Sequence, residues 1–312
     1  MFGDIRNQYQ EFANKSESGS MTFKSGYVAL AGRPNVGKST LLNALLGQKL
    51  AAVSRRPQTT RQRVLGILNT DRSQVVLMDT PGLLDPRYAM QNALLKIAVN
   101  SISQSDVLAF LVDSQKGWHD EDWNYLQKYR RKNTIVVLNK IDAVPKEQVL
   151  ELIAQVNQAT GLDQIYPISA LKKFGLKELE EGLIKLLPEG KPFYPDEMVS
   201  DQPEKFFVAE IIREKIFELC GAEVPYATAV IIDEFKEQEG RKDVIKATIW
   251  VEKQSQKPIL VGQGGHKIKA IGINARKEIE TFLERPVFLE LFVKVKEKWR
   301  NNQSDIRELG LS

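Results

Sequence analysis

At 312 residues, with 42% hydrophobic and 27% charged side chains, the chain has the composition of a globular protein of about two domains. Cys220 is its only cysteine, which excludes an intrachain disulfide, and its two histidines stand far apart, which argues against a His/Cys metal site. A net charge of +4 permits an anionic partner without requiring one. No apolar run approaches the ~20 residues of a transmembrane helix, so we expect a cytoplasmic protein.

Residues 1–24 carry few apolar side chains and predict a flexible N-terminal extension. Phe2, Ile5, Tyr9 and Phe12 nevertheless recur at roughly helical spacing. That spacing leaves open an amphipathic anchor that associates peripherally with the cytoplasmic face of the cell membrane. A frayed tail is the alternative.

A glycine-containing loop follows the first predicted strand, residues 27–31, and precedes a predicted helix at 40–46. It fits G-x-x-x-x-G-K-S/T, the phosphate-binding P-loop. Its glycines let the backbone turn N–H groups toward phosphate oxygens, and the helix N-terminus adds partial positive charge. Lys38 is predicted to reach the β- and γ-phosphates and Ser39 to bind Mg²⁺. The loop consists of Gly32, Arg33, Pro34, Asn35, Val36, Gly37, Lys38 and Ser39.

Strands and helices alternate over residues 25–187, which predicts an α/β domain with a mostly parallel sheet and helices on both faces. Further strands are predicted at 64–68, 74–78, 106–112, 134–138 and 164–168, and helices at 88–103, 146–159 and 176–187. Ligands of such sheets bind at the carboxyl ends of the strands. The P-loop and the two motifs described next all fall at such ends.

The sequence D-T-P-G at residues 79–82 follows one of these strands. Asp79 can hold Mg²⁺ directly or through water, and the Gly82 N–H can meet the γ-phosphate. A polar loop at 48–63 contains Thr59 and Thr60, either of which could complete the Mg²⁺ site. Loss of the γ-phosphate is expected to release this loop and the loop after Gly82.

The sequence N-K-I-D at residues 139–142 predicts which base is bound. A carboxylate accepts both N1–H and the exocyclic N2–H₂ of guanine, whereas adenine presents an acceptor at N1. Mispairing a buried carboxylate costs on the order of several kcal/mol. Asp142 is therefore predicted to select guanine, with Asn139 bracing the loop and Lys140 lying along the base plane.

Three prolines and a glycine within residues 188–195 predict a linker at 188–202. A second domain is expected at 203–300, with a tail at 301–312. Its predicted elements are a helix at 203–220, strands at 224–235 and 244–251, a segment at 258–261, a helix at 266–283 and a strand at 287–295. This order is αββααβ.

Gly262-Gln263-Gly264-Gly265 fits the G-x-x-G loop of a KH domain, and the element order suits the type II version. Such a loop lets the backbone of about four single-stranded nucleotides approach closely. Lys257, Lys267 and Lys269 flank the loop and are candidate phosphate contacts. Arg55, Arg56, Arg61 and Arg63 form a second acid-free basic run, either a switch loop that touches RNA or an ordinary solvated loop.

The motifs G-R-P-N-V-G-K-S, T-T-R, D-T-P-G, N-K-I-D, S-A-L and G-Q-G-G, taken together, resemble the Era-type family of translation-factor-like bacterial GTPases over residues 25–310. The resemblance implies GTP hydrolysis with GTP/GDP and Mg²⁺. It also implies nucleotide-controlled binding by a monomer to the 3′ end of 16S rRNA in the small ribosomal subunit. The residues alone support single-stranded RNA, and a GTP-switched adaptor that docks a protein or membrane partner, with the KH fold as scaffold, remains the alternative.

The resemblance assigns roles residue by residue. It implies catalytic roles for Lys38, Thr59, Thr60, Asp79 and Gly82, and metal binding by Ser39, Thr59, Thr60 and Asp79. It adds to the P-loop the nucleotide-binding positions Asp79, Thr80, Pro81, Gly82, Leu83, Asn139, Lys140, Ile141, Asp142, Ser169 and Ala170.

Two positions bear on hydrolysis. Leu83 stands where many small GTPases have a glutamine that orients the attacking water. Because leucine cannot form that hydrogen bond, slow intrinsic hydrolysis is expected, with the water placed by backbone groups or by a group supplied in trans. Asn35 resembles the K⁺-binding residue of potassium-assisted relatives, and a loop-bracing asparagine is the alternative.

Overall fold

The computed structural model describes residues 22–53, 60–221 and 223–311. Its larger sheet contains β1 Lys24–Ala31, β2 Val64–Thr70, β3 Ser73–Asp79, β4 Val107–Asp113, β5 Thr134–Asn139 and β6 Ile165–Pro167. The strand order is β2-β3-β1-β4-β5-β6. Only the β2–β3 pairing is antiparallel within this sheet, so the sheet is mostly parallel, as predicted.

Helices cover both faces of this sheet. They are α1 Lys38–Leu46, α2 Ala89–Gln104, α3 Asp120–Tyr129, α4 Lys146–Thr160 and α5 Leu176–Leu186. One core contains side chains of α1 and α5, such as Leu42 and Leu183, and the other contains side chains of α2, α3 and α4, such as Ile102 and Val156. Strands buried on both faces have continuous apolar sequences, so the sequence alone predicts where these strands lie.

The second half forms a three-stranded sheet with helices packed on one face. Its elements are α6 Glu204–Leu219, β7 Ala229–Lys236, β8 Asp243–Val251, α7 Gln256–Val261, α8 His266–Leu283 and β9 Val287–Val295. The strand order is β7-β8-β9, with β7 antiparallel and β9 parallel to β8. The predicted αββααβ order is confirmed. The tail carries a 3₁₀ turn, Trp299–Asn301, and α9 Gln303–Glu308.

Two predicted boundaries were wrong. The strand predicted from residue 224 begins at Ala229, and a 3₁₀ helix, Val224–Ala227, precedes it. Pro225 has no N–H to donate to a strand ladder, and its carbonyl accepts the Thr228 hydroxyl at 2.9 Å. At the other end of the chain, β1 begins at Lys24, inside the predicted extension.

The two halves pack directly against each other. Met90 and Leu94 of α2 belong to one buried apolar cluster with Trp250 of β8 and with Trp299 and Ile306 of the tail. Thus the helix that follows D-T-P-G rests on the second domain. None of the helices within the described ranges is long and apolar enough to cross a membrane.

Candidate functional site

A cavity of about 560 Å³ lies at the carboxyl ends of β1, β3, β4 and β5. Twelve residues predicted to bind nucleotide or metal line it: Pro34, Asn35, Gly37, Lys38, Ser39, Thr60, Thr80, Gly82, Asn139, Lys140, Asp142 and Ala170. Sequence reasoning missed six others: Thr40, Ala52, Val53, Gln115, Ala143 and Leu171. Thr59 lies outside the described residues. Eight predicted positions are not among its lining: Gly32, Arg33, Val36, Asp79, Pro81, Leu83, Ile141 and Ser169.

The P-loop requires glycine at two positions. Gly32 has φ 141°, and a Cβ there would lie 2.4 Å from the Leu111 carbonyl oxygen. Gly37 has φ 99°, and its Cβ would lie 2.3 Å from Asn139 Nδ2. Because α1 begins at the next residue, the turn directs the helix N-terminus, with its unpaired N–H groups, at the cavity.

Lys38 carries a buried positive charge at the base of the loop. Its Nζ donates to the carbonyl oxygens of Gly32 at 3.2 Å and Arg33 at 3.1 Å. Burial lowers the pKa of Lys38 to about 8, and the neighbouring Asp79 carboxylate only partly offsets this. Burial disfavours the charged form of Lys38, and a nearby anion would stabilise that form. Phosphate oxygens bound in the cavity would supply this negative charge.

The side chain of Arg33 points to helix α3 and not to the cavity. Its Nε donates to the buried carboxylate of Asp122 in α3 at 2.8 Å. The guanidinium is therefore engaged with α3, which leaves the main chain of Arg33 for contact with a nucleotide.

Ser39 and Thr60, which line the cavity, converge on the buried carboxylate of Asp79. Ser39 Oγ donates to Asp79 Oδ2 at 2.6 Å and lies 2.8 Å from Thr60 Oγ1, which is 3.2 Å from the same carboxylate oxygen. Asp79 Oδ1 is buried and has no hydrogen-bond partner within the described ranges. Burial raises the pKa of Asp79 to about 6. Two hydroxyls and a carboxylate with an unused oxygen fit Mg²⁺, a cation that prefers oxygen ligands.

The turn after β3 brings the main chain close to the P-loop. The Leu83 N–H donates to the Gly32 carbonyl at 3.0 Å, while the Leu83 side chain is 1% exposed in the core. A Cβ on Gly82 would lie 2.8 Å from Pro34 Cα. Glycine is thus required for the two loops to meet, and Leu83 presents no side-chain group to the cavity.

Asn139 ties three loops together at the opposite end of the cavity. Its Nδ2 donates to the Val36 carbonyl at 2.9 Å, and its Oδ1 accepts the N–H groups of Lys140 at 2.8 Å and Ala170 at 3.0 Å. The side chain is almost fully buried. It braces the loop, as the sequence predicts.

The base-recognition loop has two further supports. Asp142 Oδ1 accepts the Ser169 hydroxyl at 2.5 Å, which fixes the orientation of the carboxylate. Lys140 Nζ donates to the Asn35 carbonyl at 2.7 Å and to Asp113 Oδ2 at 2.6 Å. Sequence reasoning did not identify Asp113, although a carboxylate that ends a buried parallel strand could have pointed to it.

The G-x-x-G loop lies between α7 and α8 at the surface of the second domain. Gly262, Gly264 and Gly265 have φ angles of 77°, 57° and 77°, in the left-handed region. A Cβ on Gly262 would lie 2.7 Å from Lys267 Cβ, whereas one on Gly265 would meet nothing within 4 Å. The loop therefore presents Gly265 to open space, and a Cβ on Gly264 would meet only the His266 ring, at 3.7 Å. Lys257 and Lys269 are exposed beside it, and Lys267 is half-buried.

Comparison with known families and proteins agrees with this geometry. The family described as 50S ribosome-binding GTPase matches residues 27–140, and the KH domain family matches residues 223–300. GTPase Era of Syntrophus aciditrophicus (strain SB) is 44% identical over 95% of this chain and 98% of its own length. GTPase Era of Carboxydothermus hydrogenoformans is 42% identical over 94% and 99%, respectively.

Two solved structures share the whole architecture. A variant of Aquifex aeolicus Era bound to GDP·AlF4⁻ is 42% identical, with a TM-score of 0.91 over 93% of this chain and 100% of its own. Era in complex with MgGDPNP and nucleotides 1506–1542 of 16S ribosomal RNA is also 42% identical, with a TM-score of 0.91 over 93% of this chain and 99% of its own. Identity of this extent over nearly the full chain, together with both domain matches, makes the chain a member of the Era family of GTPases, with a C-terminal KH domain.

Proposed function

We propose that this GTPase binds single-stranded RNA near the 3′ end of 16S rRNA through its KH domain. Nucleotide state would control this binding. The protein would thereby act in assembly of the small ribosomal subunit. The observation that carries the proposal is the related Era structure, which holds MgGDPNP and 16S rRNA nucleotides together. This chain has both a guanine-nucleotide cavity and a G-x-x-G loop in the same architecture.

As a GTPase, the chain converts GTP and water to GDP and phosphate. We propose that Lys38 binds the β- and γ-phosphates and that the Gly82 N–H meets the γ-phosphate. Ser39, Thr60 and Asp79 would hold Mg²⁺, which when bound neutralises charge that develops on the phosphoryl oxygens. Asp142 would select guanine. Because Leu83 is buried, the attacking water would be placed by main-chain groups or by a group supplied in trans, which predicts slow intrinsic hydrolysis.

The contact between α2 and the KH domain supports control by nucleotide. Gly82, which is proposed to meet the γ-phosphate, lies a few residues before α2. Met90 and Leu94 of α2 are buried against Trp250 and Trp299. A packed interface of this kind resists continuous deformation. A displacement of the D-T-P-G turn would therefore be transmitted to the KH domain.

The RNA site is proposed on charge and backbone access. Between residues 253 and 277 there are six Lys/Arg and no acid. Lys257, Lys267 and Lys269 would contact phosphates around the G-x-x-G loop, so binding should weaken as salt rises. The bases would be read in single-stranded form.

The test is binding of a labelled 16S rRNA 3′-end oligonucleotide in the presence of GDP and then of a non-hydrolysable GTP analogue, across a salt series. Tighter binding with the analogue is expected. Replacement of both Gly264 and Gly265 by Asp should abolish RNA binding while nucleotide binding persists. Gly240→Asp is the matched control, because Gly240 has φ 68° in the same domain with nothing within 4 Å of a Cβ. RNA binding that survives the double replacement would favour the adaptor alternative.

Domain limits, oligomeric state, membrane association and K⁺ binding complete the proposal. We propose a nucleotide-binding domain from Lys24, where β1 begins, to residue 187, and a KH domain at 203–300. We also propose a monomeric state, a cytoplasmic location with peripheral membrane association through the N-terminal extension, and K⁺ binding by Asn35. Sedimentation with anionic lipid vesicles tests the extension, since removal of residues 1–20 should abolish co-sedimentation. Hydrolysis rates in K⁺ and Na⁺ buffers test Asn35, and equal rates would leave it as a loop-bracing residue.

A further inference from the structure

Arg61 extends from the nucleotide-binding domain into the KH domain. Its Nη1 donates to the Thr228 carbonyl at 2.5 Å, and its Nη2 donates to the carbonyls of Tyr226 at 3.1 Å and Pro225 at 3.4 Å. The guanidinium also lies 5.7 Å from the centre of the Trp299 ring. Arg61 is 4% exposed. Of the two interpretations of the basic run, a solvated loop and an RNA contact, neither describes this residue.

The carbonyls that Arg61 contacts form the C-terminal end of the 3₁₀ helix Val224–Ala227. Such an end carries unsatisfied carbonyl groups and partial negative charge, which favours a cation. Burial nevertheless lowers the pKa of Arg61 to about 9. The charge is thus tolerated because the three carbonyls receive it, and the contact depends on the KH domain being in this position.

The residue before Arg61 is Thr60, whose hydroxyl lies 2.8 Å from Ser39 Oγ and 3.2 Å from Asp79 Oδ2. One peptide bond therefore separates a group at the proposed Mg²⁺ site from a side chain held inside the KH domain. Gln62 joins the same loop to the C-terminal tail, since its Nε2 donates to the Leu309 carbonyl at 2.7 Å.

A second, independent contact between the two domains lies at Val53, another residue of the cavity lining. Glu214 of α6, which is 3% exposed, accepts Lys49 Nζ at 2.6 Å and the Val53 N–H at 3.3 Å. Val53 lines the nucleotide cavity. Lys49 also pairs with Glu278 of α8, the helix that begins after the G-x-x-G loop.

We propose that Arg61 is a positioning residue for Thr60, and that Glu214 has the same role for the Val53 side of the cavity. Through Arg61 the KH domain would fix the Thr60 hydroxyl, which would complete the Mg²⁺ site in the triphosphate state. This inference rests on the proposed function and names the contacts through which nucleotide state and RNA binding are coupled. Because coupling between two binding sites is reciprocal, whatever Arg61 contributes to the effect of RNA on GTP affinity, it contributes equally to the effect of GTP on RNA affinity.

The experiment uses the full chain with Arg61→Met, which removes the donors and keeps an unbranched side chain. Arg63→Met is the matched control, because Arg63 donates to Gln104 of α2 and not to the KH domain. Affinities for labelled GDP and for a non-hydrolysable GTP analogue are measured for each protein, with and without the 16S rRNA 3′-end oligonucleotide. Coupling between sites is typically roughly 5–150-fold.

In Arg61→Met, affinity for the GTP analogue should fall about ten-fold relative to affinity for GDP, because only the triphosphate state uses Thr60. The effect of the analogue on RNA affinity and the effect of RNA on analogue affinity should both shrink, and by one common factor, while Arg63→Met matches the wild type. Equal losses for both nucleotides, or no loss for either, would overturn the inference. If Arg61→Met does not fold, Arg61→Lys, which keeps the positive charge but cannot reach all three carbonyls at once, decides by the ratio of analogue affinity to GDP affinity.

Failure of the proposed function has a different signature. If the wild-type protein binds RNA equally with GDP and the analogue, control by nucleotide is refuted. The ratio of analogue to GDP affinity in Arg61→Met then still decides whether Arg61 positions Thr60.

Discussion

Replacing Asn139 by alanine tests how the three nucleotide-binding loops are held together. The wild-type amide joins the P-loop at Val36 to the base loop at Lys140 and to the segment at Ala170, at 2.8–3.0 Å. Alanine would leave one carbonyl and two N–H groups without this partner, in a place that is almost fully buried.

The size of the effect follows from those three groups. A lost hydrogen bond costs about 1 kcal/mol net when water can partly replace the partner, and more when the group stays dry. The site borders an open cavity, so the lower value applies and the total is about 3 kcal/mol. At 1.4 kcal/mol per ten-fold change, this corresponds to a nucleotide affinity reduced by roughly 150-fold if the whole cost falls on binding.

The assay pairs urea unfolding with competition binding of GDP and XDP. The losses in unfolding free energy and in GDP affinity should together approach 3 kcal/mol, with guanine preference unchanged because Asp142 remains. Asn139→Asp, of nearly equal volume, should also lose affinity, because its carboxylate faces the Val36 carbonyl. Asn157→Ala, an exposed amide at the end of α4, is the control. An Asn139→Ala protein within about 1 kcal/mol of wild type in both measurements would refute the reasoning.

Asp142→Asn should shift preference from guanine toward xanthine nucleotides by about 100-fold, since two charge-assisted hydrogen bonds are lost; competition binding measures it, and unchanged preference would contradict the role of Asp142. Gly82→Ala places a Cβ 2.8 Å from Pro34 Cα and should slow GTP hydrolysis roughly 100-fold while GDP affinity stays near wild type; a normal rate would show that the Gly82 main chain is not used. Affinity for nucleotide should fall as pH rises above about 8, because free Lys38 with its lowered pKa must take up a proton to bind phosphate as an ammonium. Calorimetry in buffers of different ionisation enthalpy measures that proton, and no uptake at pH 9 would contradict the assignment.

The sequence was sufficient where function depends on short contiguous motifs. Glycines at 32 and 37 are required by positive φ and by close contacts across the loop. The position of Asp142 follows from a motif after a buried strand. These features are local, so pattern and spacing reveal them. Much of the αββααβ order was equally readable, because β8 alternates between buried and half-buried residues and α8 has one buried stripe at Ile271, Ala275 and Ile279.

The sequence was insufficient where a role depends on a distant partner. Arg61 looks like one arginine among four in a polar loop, and only the fold brings it to the carbonyls of Pro225, Tyr226 and Thr228. The role of Glu214 is similarly hidden within a helix rich in charge. Residues 224–228 were mistaken for strand because their apolar character outweighed the effect of Pro225 on the ladder.

The most direct test of the central claim is the dissociation constant of a labelled non-hydrolysable GTP analogue, measured with and without a saturating 16S rRNA 3′-end oligonucleotide. The account predicts that RNA tightens binding of the analogue and leaves binding of labelled GDP unchanged, since coupling between the sites is reciprocal. Identical dissociation constants of the analogue with and without RNA would contradict it.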